Sequence, residues 1–213
     1  MKIVIFGANG KVGSVLVEQA LAKGHTIVAY IREGTSVMKQ HPKLKIIVGK
    51  LNESLKIADA VAGADACISS LGGKSLIRHA PEIVAGIDNI VTALEKQQVR
   101  RFIYLSSIGA GESQVMFPPL ARFFITRLIL RVPLADHNLN EGRIAASNLH
   151  WTIVRPTTLT NGRLSENLNH GIFKRRLPRN PVISRASLAA FMLKQVTDET
   201  YIHKCVWVYE KKD

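Results

Sequence analysis

A glycine-rich segment near the amino terminus constrains the fold of this 213-residue chain more than any other feature. Residues 2–6 read K-I-V-I-F, an apolar run with β-branched side chains that is typical of a buried strand. Gly7, Gly10 and Gly13 follow directly, and apolar residues with helical spacing begin near residue 12. We therefore predict a strand, a tight glycine turn and a helix in immediate succession.

The rest of the chain alternates between strand-like and helix-like patterns. Strands are predicted at 2–6, 25–31, 44–48, 65–70, 101–106, 151–155 and 205–209, and helices near 12–23, 54–62, 81–97, 118–131, 136–148 and 186–197. The strands are nearly continuous apolar runs, which is typical of a parallel sheet covered by helices on both faces. We predict an α/β fold, a Rossmann-like doubly wound parallel sheet in one domain over residues 1–213. A small C-terminal substrate lobe or lid is expected at 158–185.

The three glycines fit a loop that holds a dinucleotide. Gly7 allows a tight turn after the strand, Gly10 lets a diphosphate approach the backbone, and Gly13 lets the helix pack closely. The first-turn N–H groups and the helix dipole then face the phosphates. The predicted contacts of this loop are Gly7, Asn9, Gly10, Lys11, Val12 and Gly13.

The end of the second strand bears on the choice between NAD and NADP. Arg32 occupies the strand end, where a guanidinium can bind a 2′-phosphate through paired hydrogen bonds. Thr35 and Ser36 add hydroxyl groups nearby. Glu33 is a rival, because an acidic side chain pointing inward would favour the free ribose of NAD. We predict NADP(H) in preference to NAD(H).

Three further segments carry a family resemblance. They are GADACISSLGG (63–73), RRFIYLSSIGAGES (100–113) and ADHNLNEGRIAASNLHWTIVRPTTLTNG (135–162). Together with the G-x-x-G-x-x-G spacing, they resemble the extended and atypical short-chain dehydrogenase/reductase superfamily. Within it, the chain is most similar to the NAD(P)H-binding group that includes flavin reductase/biliverdin reductase B and the NmrA-like proteins.

The resemblance implies roles for residues beyond the glycine loop. Leu51 is implied to contact adenine through its backbone, although Lys50 stands where relatives often have an acidic residue. Ser107 matches the active-site serine of the reductases. The other implied contacts to cofactor are Leu71, Gly72, Gly73, Lys74, Ser106, Pro156, Thr157 and Thr158.

The chain lacks the Tyr-x-x-x-Lys pair by which typical short-chain dehydrogenases protonate a reduced carbonyl. None of its four tyrosines has a lysine four residues on. Hydride transfer to a flavin or tetrapyrrole gives a delocalised anion that water can protonate, so the site needs only to stack and orient two planar rings. Ser107 then donates a hydrogen bond or positions the ring; alternatively, Ser106 and Ser107 only terminate a strand and hold cofactor backbone.

These observations lead to one leading hypothesis and two alternatives. The leading hypothesis is an NADPH-dependent reductase of a flavin or a similar acidic planar ring. The first alternative is a non-catalytic NmrA-like sensor that binds NADP(H) and acts through a protein partner. The second is an isomerase or epimerase that recycles its cofactor, although the missing tyrosine argues against it.

The charge balance favours anionic small molecules as partners. The 29 Lys and Arg residues exceed the 16 Asp and Glu residues, which gives a formal net charge of +13. Such a field attracts a phosphorylated cofactor or an acidic substrate. The basic segment 173–180 either receives such groups or forms a solvated loop. Nucleic acid is not an expected partner, because no recognised module or aromatic interleaving accompanies the charge.

Other features exclude or limit further classes of function. No apolar stretch is long enough to span a bilayer, and the strand from residue 2 leaves no room for a leader, so a cytoplasmic location is expected. The apolar segment 117–134 is a packed helix, a substrate-pocket wall, a dimer face or a membrane-surface helix. No metal site is predicted, because His137 and Glu141 lack a third ligand and are interpreted as surface residues.

Overall fold

The computed structural model describes residues 1–33, 40–73, 78–118, 130–172 and 176–211. The strands are β1 (Lys2–Phe6), β2 (Thr26–Ile31), β3 (Leu44–Val48), β4 (Ala66–Ser69), β5 (Arg101–Leu105), β6 (His150–Pro156), β7 (Thr158–Thr160), β8 (Leu168–Gly171), β9 (Val182–Ser184) and β10 (Lys204–Glu210). The helices are α1 (Gly13–Ala22), α2 (Ser54–Val61), α3 (Pro81–Lys96), α4 (Arg131–Ala145) and α5 (Arg185–Lys194), and a 3-10 helix spans Gly111–Met116.

Eight of the described strands form one sheet in the order β3-β2-β1-β4-β5-β6-β10-β8. Neighbouring strands are parallel except for β8, which pairs antiparallel with β10. The chain moves outward from β1 to β3 and then returns to β4 on the other side of β1. The loops after β1 and β4 therefore diverge to opposite faces, which opens a crevice at the carboxyl ends of the strands.

Helices cover both faces of the sheet, as the apolar strands predict. On one face, α1 and α5 pack against a core that includes Ile3 and Ile5. On the other face, α2, α3 and α4 pack against a core that includes Val4 and Phe6. Since consecutive residues of a strand point to opposite faces, the uninterrupted I-V-I-F run supplies both cores at once. The predicted Rossmann-like α/β fold is confirmed.

The sequence located the long strands within about two residues and missed shorter elements. Strands β7, β8 and β9 were not predicted; they lie within the irregular stretch 158–185 and contain three or four residues each. Such short runs carry too few residues for a period of two to be visible. β7 and β9 pair with each other outside the main sheet, whereas β8 joins the main sheet beside β10.

Helix α4 begins at Arg131 rather than near residue 136. The sequence contains Pro133, but this residue lies in the first turn, where the missing N–H has no intrahelical partner to lose. Of the helix predicted at 118–131, residues 119–129 lie outside the described part of the chain. Within the described ranges, no helix is long and apolar enough to cross a membrane.

Both cysteines are free thiols. Cys67 is fully buried on β4, and burial raises the pKa of its thiol well above the ordinary value. Cys205 is half-buried on β10, and burial raises its pKa to about 12. Both thiols are therefore protonated at neutral pH, and neither is primed to act as a nucleophile.

Candidate active site

The glycine loop is held by close contacts between its own backbone and the end of β4. Gly7 has a φ of +73°, and a Cβ atom added there would lie 3.1 Å from the backbone of Ser70. A Cβ atom at Gly13 would lie only 2.0 Å from the Gly7 carbonyl oxygen. The Ser70 hydroxyl lies 3.1 Å from the carbonyl oxygen of Phe6 and 3.2 Å from that of Gly7, so it can donate to either. Ser70 therefore joins the carboxyl ends of β1 and β4 across the crevice.

Gly10 is less tightly enclosed than Gly7 and Gly13. Its N–H donates to the Gly7 carbonyl over 2.9 Å, and the atom nearest to an added Cβ would be that same oxygen, at 3.1 Å. Gly10 and Lys11 are exposed, whereas Val12 is buried beneath them. No side chain caps the amino terminus of α1, and its first turn contains no acidic residue. The loop thus leaves a positive helix end open toward a bare backbone surface, which fits a diphosphate.

The other residues predicted to contact the cofactor line the same edge of the sheet. Phe6 pairs with Tyr30, so Arg32 lies two residues beyond the row in which β1 ends. Arg32 and Glu33 are both exposed there, so either side chain can reach a bound adenosine ribose. Gly72 and Gly73 are exposed after β4, and nothing lies within 4 Å of a Cβ atom added at Gly72. Asn9 and Leu71 are half-buried, whereas Ser36 and Lys74 lie outside the described residues.

Leu51 lies after β3 and is fixed by helix α3. A Cβ atom at Gly86 would lie 2.7 Å from the Leu51 side chain, so this glycine lets the two pack together. Asn89 Nδ2 donates to the Leu51 carbonyl oxygen over 2.8 Å. A contact between this backbone and adenine would therefore use the amide N–H or the second lone pair of the carbonyl.

Ser106 and Ser107 have different environments although they are adjacent. Ser106 is buried, and its hydroxyl donates to Glu141 Oε1 over 2.5 Å. Ser107 is only half-buried, and its hydroxyl makes a longer contact of 3.2 Å to the carbonyl oxygen of Ile108. Ser107 is therefore the serine whose hydroxyl can turn toward a bound molecule, whereas that of Ser106 is committed to the protein interior.

Backbone hydrogen bonds extend the pairing of β5 and β6 past the end of β5. Ser106 N–H donates to the Val154 carbonyl over 2.8 Å, and Ile108 N–H donates to the Pro156 carbonyl over 3.0 Å. This pairing brings Ser107 beside Pro156. Thr157 follows, with a buried hydroxyl that has no hydrogen-bond partner among the described residues, and Thr158 is exposed. The sequence-predicted residues at 106–107 and 156–158 thus lie together at one edge.

A chain of hydrogen-bonded charged and polar groups, centred on buried Arg155, adjoins this edge of the sheet. Arg155 donates to Glu141 through Nε (3.0 Å) and Nη2 (2.6 Å), and to Glu112 through Nη1 (2.7 Å) and Nη2 (3.2 Å). Burial acts to lower the pKa of Arg155, but the hydrogen bonds to the two carboxylates outweigh it and raise the pKa. The hydrogen bond from Arg155 also holds the pKa of Glu112 below its ordinary value. The hydroxyl of Ser106, which donates to Glu141 Oε1, completes the chain.

The interpretation of His137 and Glu141 as surface residues was wrong. Glu141 is 6% exposed, and its carboxylate is held by Ser106 and Arg155. His137 is half-buried, and burial lowers its pKa, so the ring stays neutral at neutral pH. The pattern misled because polar residues on a helix are normally solvated, whereas this helix turns them toward polar groups on β5 and β6.

The tyrosine hydroxyls all have protein partners. Asn140 Nδ2 donates to the Tyr104 hydroxyl over 2.9 Å, and that hydroxyl lies 2.9 Å from His137 Nδ1. Burial raises the pKa of Tyr104 above its ordinary value, so its hydroxyl is a poor acid. The remaining hydroxyls contact the Lys50 carbonyl (Tyr30), His170 Nδ1 (Tyr201) and Asn169 Nδ2 (Tyr209). Each tyrosine hydroxyl is thus already engaged by another group of the protein.

A family model described as NAD(P)H-binding matches residues 7–199, which include the glycine loop and the Ser107 and Pro156 region. The chain belongs to the NAD(P)H-binding family. It is 30% identical over 171 residues to an uncharacterised chloroplastic protein of Arabidopsis thaliana, a match that covers 75% of this chain and 60% of that protein. It is 32% identical over 117 residues to a 3-beta-hydroxysteroid dehydrogenase of Mycolicibacterium neoaurum, covering 50% of this chain and 32% of the dehydrogenase.

Solved structures of NAD(P)H-binding proteins share the fold over nearly the whole chain. One is a short-chain dehydrogenase/reductase of Veillonella parvula in complex with NADP, with a TM-score of 0.82 and 22% identity, covering 98% of this chain and 94% of that one. Another is ChuY, an anaerobilin reductase of Escherichia coli O157:H7, with a TM-score of 0.81 and 22% identity, covering 100% and 98%. The fold is therefore that of atypical short-chain dehydrogenases/reductases, as the sequence resemblance implied.

Sequence reasoning missed Ser70, Glu112 and Arg155. Ser70 is the second serine of the segment C-I-S-S-L-G-G, and only the folded chain shows that its hydroxyl spans to β1. Arg155 carried a usable signal, because it is a charged residue inside the apolar run W-T-I-V-R-P. A charge in a buried strand needs a partner, and Glu141 lies on the helix that immediately precedes that strand.

Substituting the two loop glycines separates the folding role of the loop from its binding role. Gly13→Ala places a methyl group onto the Gly7 carbonyl, so we expect a loss of about 3 kcal/mol in the free energy of unfolding. Gly10→Ala meets one oxygen at 3.1 Å and should cost about 1 kcal/mol or less, while weakening NAD(P)H binding at least about tenfold. Urea unfolding and cofactor titration measure the two effects. Equal stability of the two variants would contradict this assignment.

The buried carboxylate should matter far more to stability than the exposed one on the same arginine. Glu141→Ala removes two hydrogen bonds from buried Arg155 and the partner of Ser106, so we expect a loss of about 3 kcal/mol or more. Glu112→Ala is the matched control; its side chain is 73% exposed, and its loss should cost about 1 kcal/mol or less. Chemical denaturation of both variants compares them. Similar losses would mean that Glu141 does not organise this region.

Proposed function

We propose that the chain is an NAD(P)H-dependent reductase that prefers NADP(H) and acts on a planar conjugated acceptor such as a flavin. The observation that carries this proposal is a combination at one edge of the sheet. A glycine loop keeps its backbone bare beside an uncapped helix terminus, while the tyrosine hydroxyls are all engaged elsewhere. The likeness in fold to ChuY, an anaerobilin reductase, supports a reductase that acts on a small-molecule acceptor.

The cofactor is proposed to lie along the carboxyl edge of the sheet. The loop Gly7–Gly13 and the first turn of α1 bind the diphosphate through backbone N–H groups. Arg32 binds the 2′-phosphate, and the overall charge of +13 favours the doubly charged group. Leu71, Gly72 and Gly73 leave room for the adjoining ribose, and Pro156 and Thr157 border the nicotinamide. When bound, the reduced nicotinamide supplies a hydride.

The protein's own contribution to the reaction is proposed to be orientation. Ser107 donates a hydrogen bond to a heteroatom of the acceptor ring and fixes its angle over the cofactor. No side-chain acid is required, because the product anion is delocalised and water protonates it. The buried chain Ser106–Glu141–Arg155 holds the ends of β5 and β6 in place, which keeps Ser107 and Pro156 at a fixed separation.

Turnover with flavins tests the proposed reaction. With NADPH and FMN or FAD, we expect loss of nicotinamide absorbance that depends on the protein. Ser107→Ala should lower kcat about tenfold, the worth of one well-placed hydrogen bond, and leave the Kd for NADPH unchanged. Ser147→Ala, between α4 and β6 at the opposite edge of the sheet, is the control. NADPH binding without turnover of any flavin, quinone or tetrapyrrole would defeat the reductase proposal and support the NmrA-like sensor.

The preference for NADP(H) has its own test. Arg32→Ser should raise the Kd for NADPH about tenfold or more and leave that for NADH nearly unchanged, because only the 2′-phosphate loses its partner. Arg100→Ser removes an exposed positive charge at the opposite edge of the sheet and serves as the control for the overall field. Isothermal titration of the wild type and the two variants with both cofactors measures the six dissociation constants. A wild-type protein that binds NADH more tightly than NADPH would refute the assignment of Arg32.

A further inference from the structure

A cavity of about 150 Å³ lies between the 3-10 helix Gly111–Met116 and strands β6 and β10. It is lined chiefly by Glu112, Met116, Arg155, Ile172, Cys205 and Trp207. This volume is enough for one six-membered ring with a small substituent. Nothing in the proposed reaction uses this space.

The cavity lies apart from the glycine loop. Arg155 on β6 pairs with Trp207 on β10, and Ser106 hydrogen-bonds to the neighbouring residue Val154, so the three lie in nearly one row across the sheet. Adjacent strands are about 4.8 Å apart, which places Trp207 about 10 Å from Ser106. The glycine loop is farther still, because β4 and β5 intervene between it and β6. A molecule in the cavity would therefore not occupy the diphosphate site.

Trp207 forms a fixed part of the cavity wall. The Trp207 ring stacks on Tyr209, with centroids 5.7 Å apart and an interplanar angle of 22°. A Cβ atom at Gly171 would lie 3.0 Å from the Trp207 ring, so the strand β8 backbone packs closely against it. Met116 supplies an adaptable thioether opposite this rigid surface. The shape and the lining suit a flat apolar group.

The charges around the cavity favour a cation. Arg155 is 4% exposed in its side chain and already makes four hydrogen bonds to Glu141 and Glu112, so it has little capacity left for an anion. One guanidinium between two carboxylates leaves a local charge of about −1. Glu112 is 73% exposed at the mouth, where its oxygens can accept further hydrogen bonds. This local sign is opposite to the overall charge of +13, so it does not follow from the composition.

We propose that this cavity binds a compact organic cation with a flat apolar body, of the aryl amidine or aromatic amine class. The apolar body lies against Trp207 and Met116. The cationic group reaches Glu112 at the mouth. The site extends beyond the proposed reductase activity and does not depend on it.

Three isosteric probes test the charge that the cavity recognises: benzamidine, benzamide and benzoate. The readout is the indole N–H signal of Trp207 in ¹H–¹⁵N NMR spectra, assigned by comparison with Trp207→Phe. We expect a saturable shift with benzamidine, at least about fivefold weaker binding of benzamide, and no saturation with benzoate. Absence of a saturable shift with benzamidine at tens of millimolar, or equal binding of benzoate, would overturn the proposal.

Two variants identify the group that recognises the cation. Glu112→Gln should abolish the preference for benzamidine over benzamide, whereas Glu82→Gln, an exposed change on α3, should preserve it. Val115→Lys places a positive charge at the rim without touching Arg155, and should weaken benzamidine about fivefold but not benzamide. A preference that survives both Glu112→Gln and Val115→Lys would sink the assignment. NADPH affinity is measured in parallel, so failure of cofactor binding is distinguished from failure of this site.

Discussion

The contact between Gly13 and the Gly7 carbonyl sets the geometry on which the rest of the site depends. With a Cβ position only 2.0 Å from that oxygen, helix α1 can start this close to β1 solely because residue 13 has no side chain. The short turn places the helix terminus directly over the carboxyl edge of the sheet. Ser70 then ties the turn to β4. The bare backbone and the positive helix end are therefore consequences of one packing constraint.

A second constraint acts beneath the other half of the edge. Burying Arg155 is unfavourable unless its N–H donors are satisfied. Glu141 accepts hydrogen bonds from two of its nitrogens, and it can do so because helix α4 places it beside β6. The arginine thus fixes the distance between that helix and β6, and Ser106 extends the constraint to β5. The half of the crevice near the glycine loop is shaped by the absence of side chains. The half near Ser107 is shaped by paired buried charges.

The sequence predicted the features that depend on local pattern. The parallel sheet follows from uninterrupted apolar strands, and the cofactor loop follows from three glycines between a strand and a helix. It did not predict the short strands β7 to β9, nor the burial of Glu141. The short strands and the burial of Glu141 both depend on contacts between residues distant in the chain. A hydropathy pattern assigns every carboxylate to solvent, because it contains no information about a buried arginine on another element. The choice of NADP and the role of Ser107 stay predictions, because they concern a molecule that the chain alone does not define.

Helix α4 lies where a typical short-chain dehydrogenase would carry its catalytic lysine, and here it carries other polar residues. Helix α4 turns His137, Asn140 and Glu141 toward the sheet, and all three are used to satisfy buried partners. A neutral histidine and a buried tyrosine of raised pKa cannot readily exchange a proton with a substrate at neutral pH. The helix therefore serves to hold β5 and β6 in position. In the proposed reductase, the product anion above Ser107 takes its proton from water, which requires an acceptor whose reduced form is a stabilised anion.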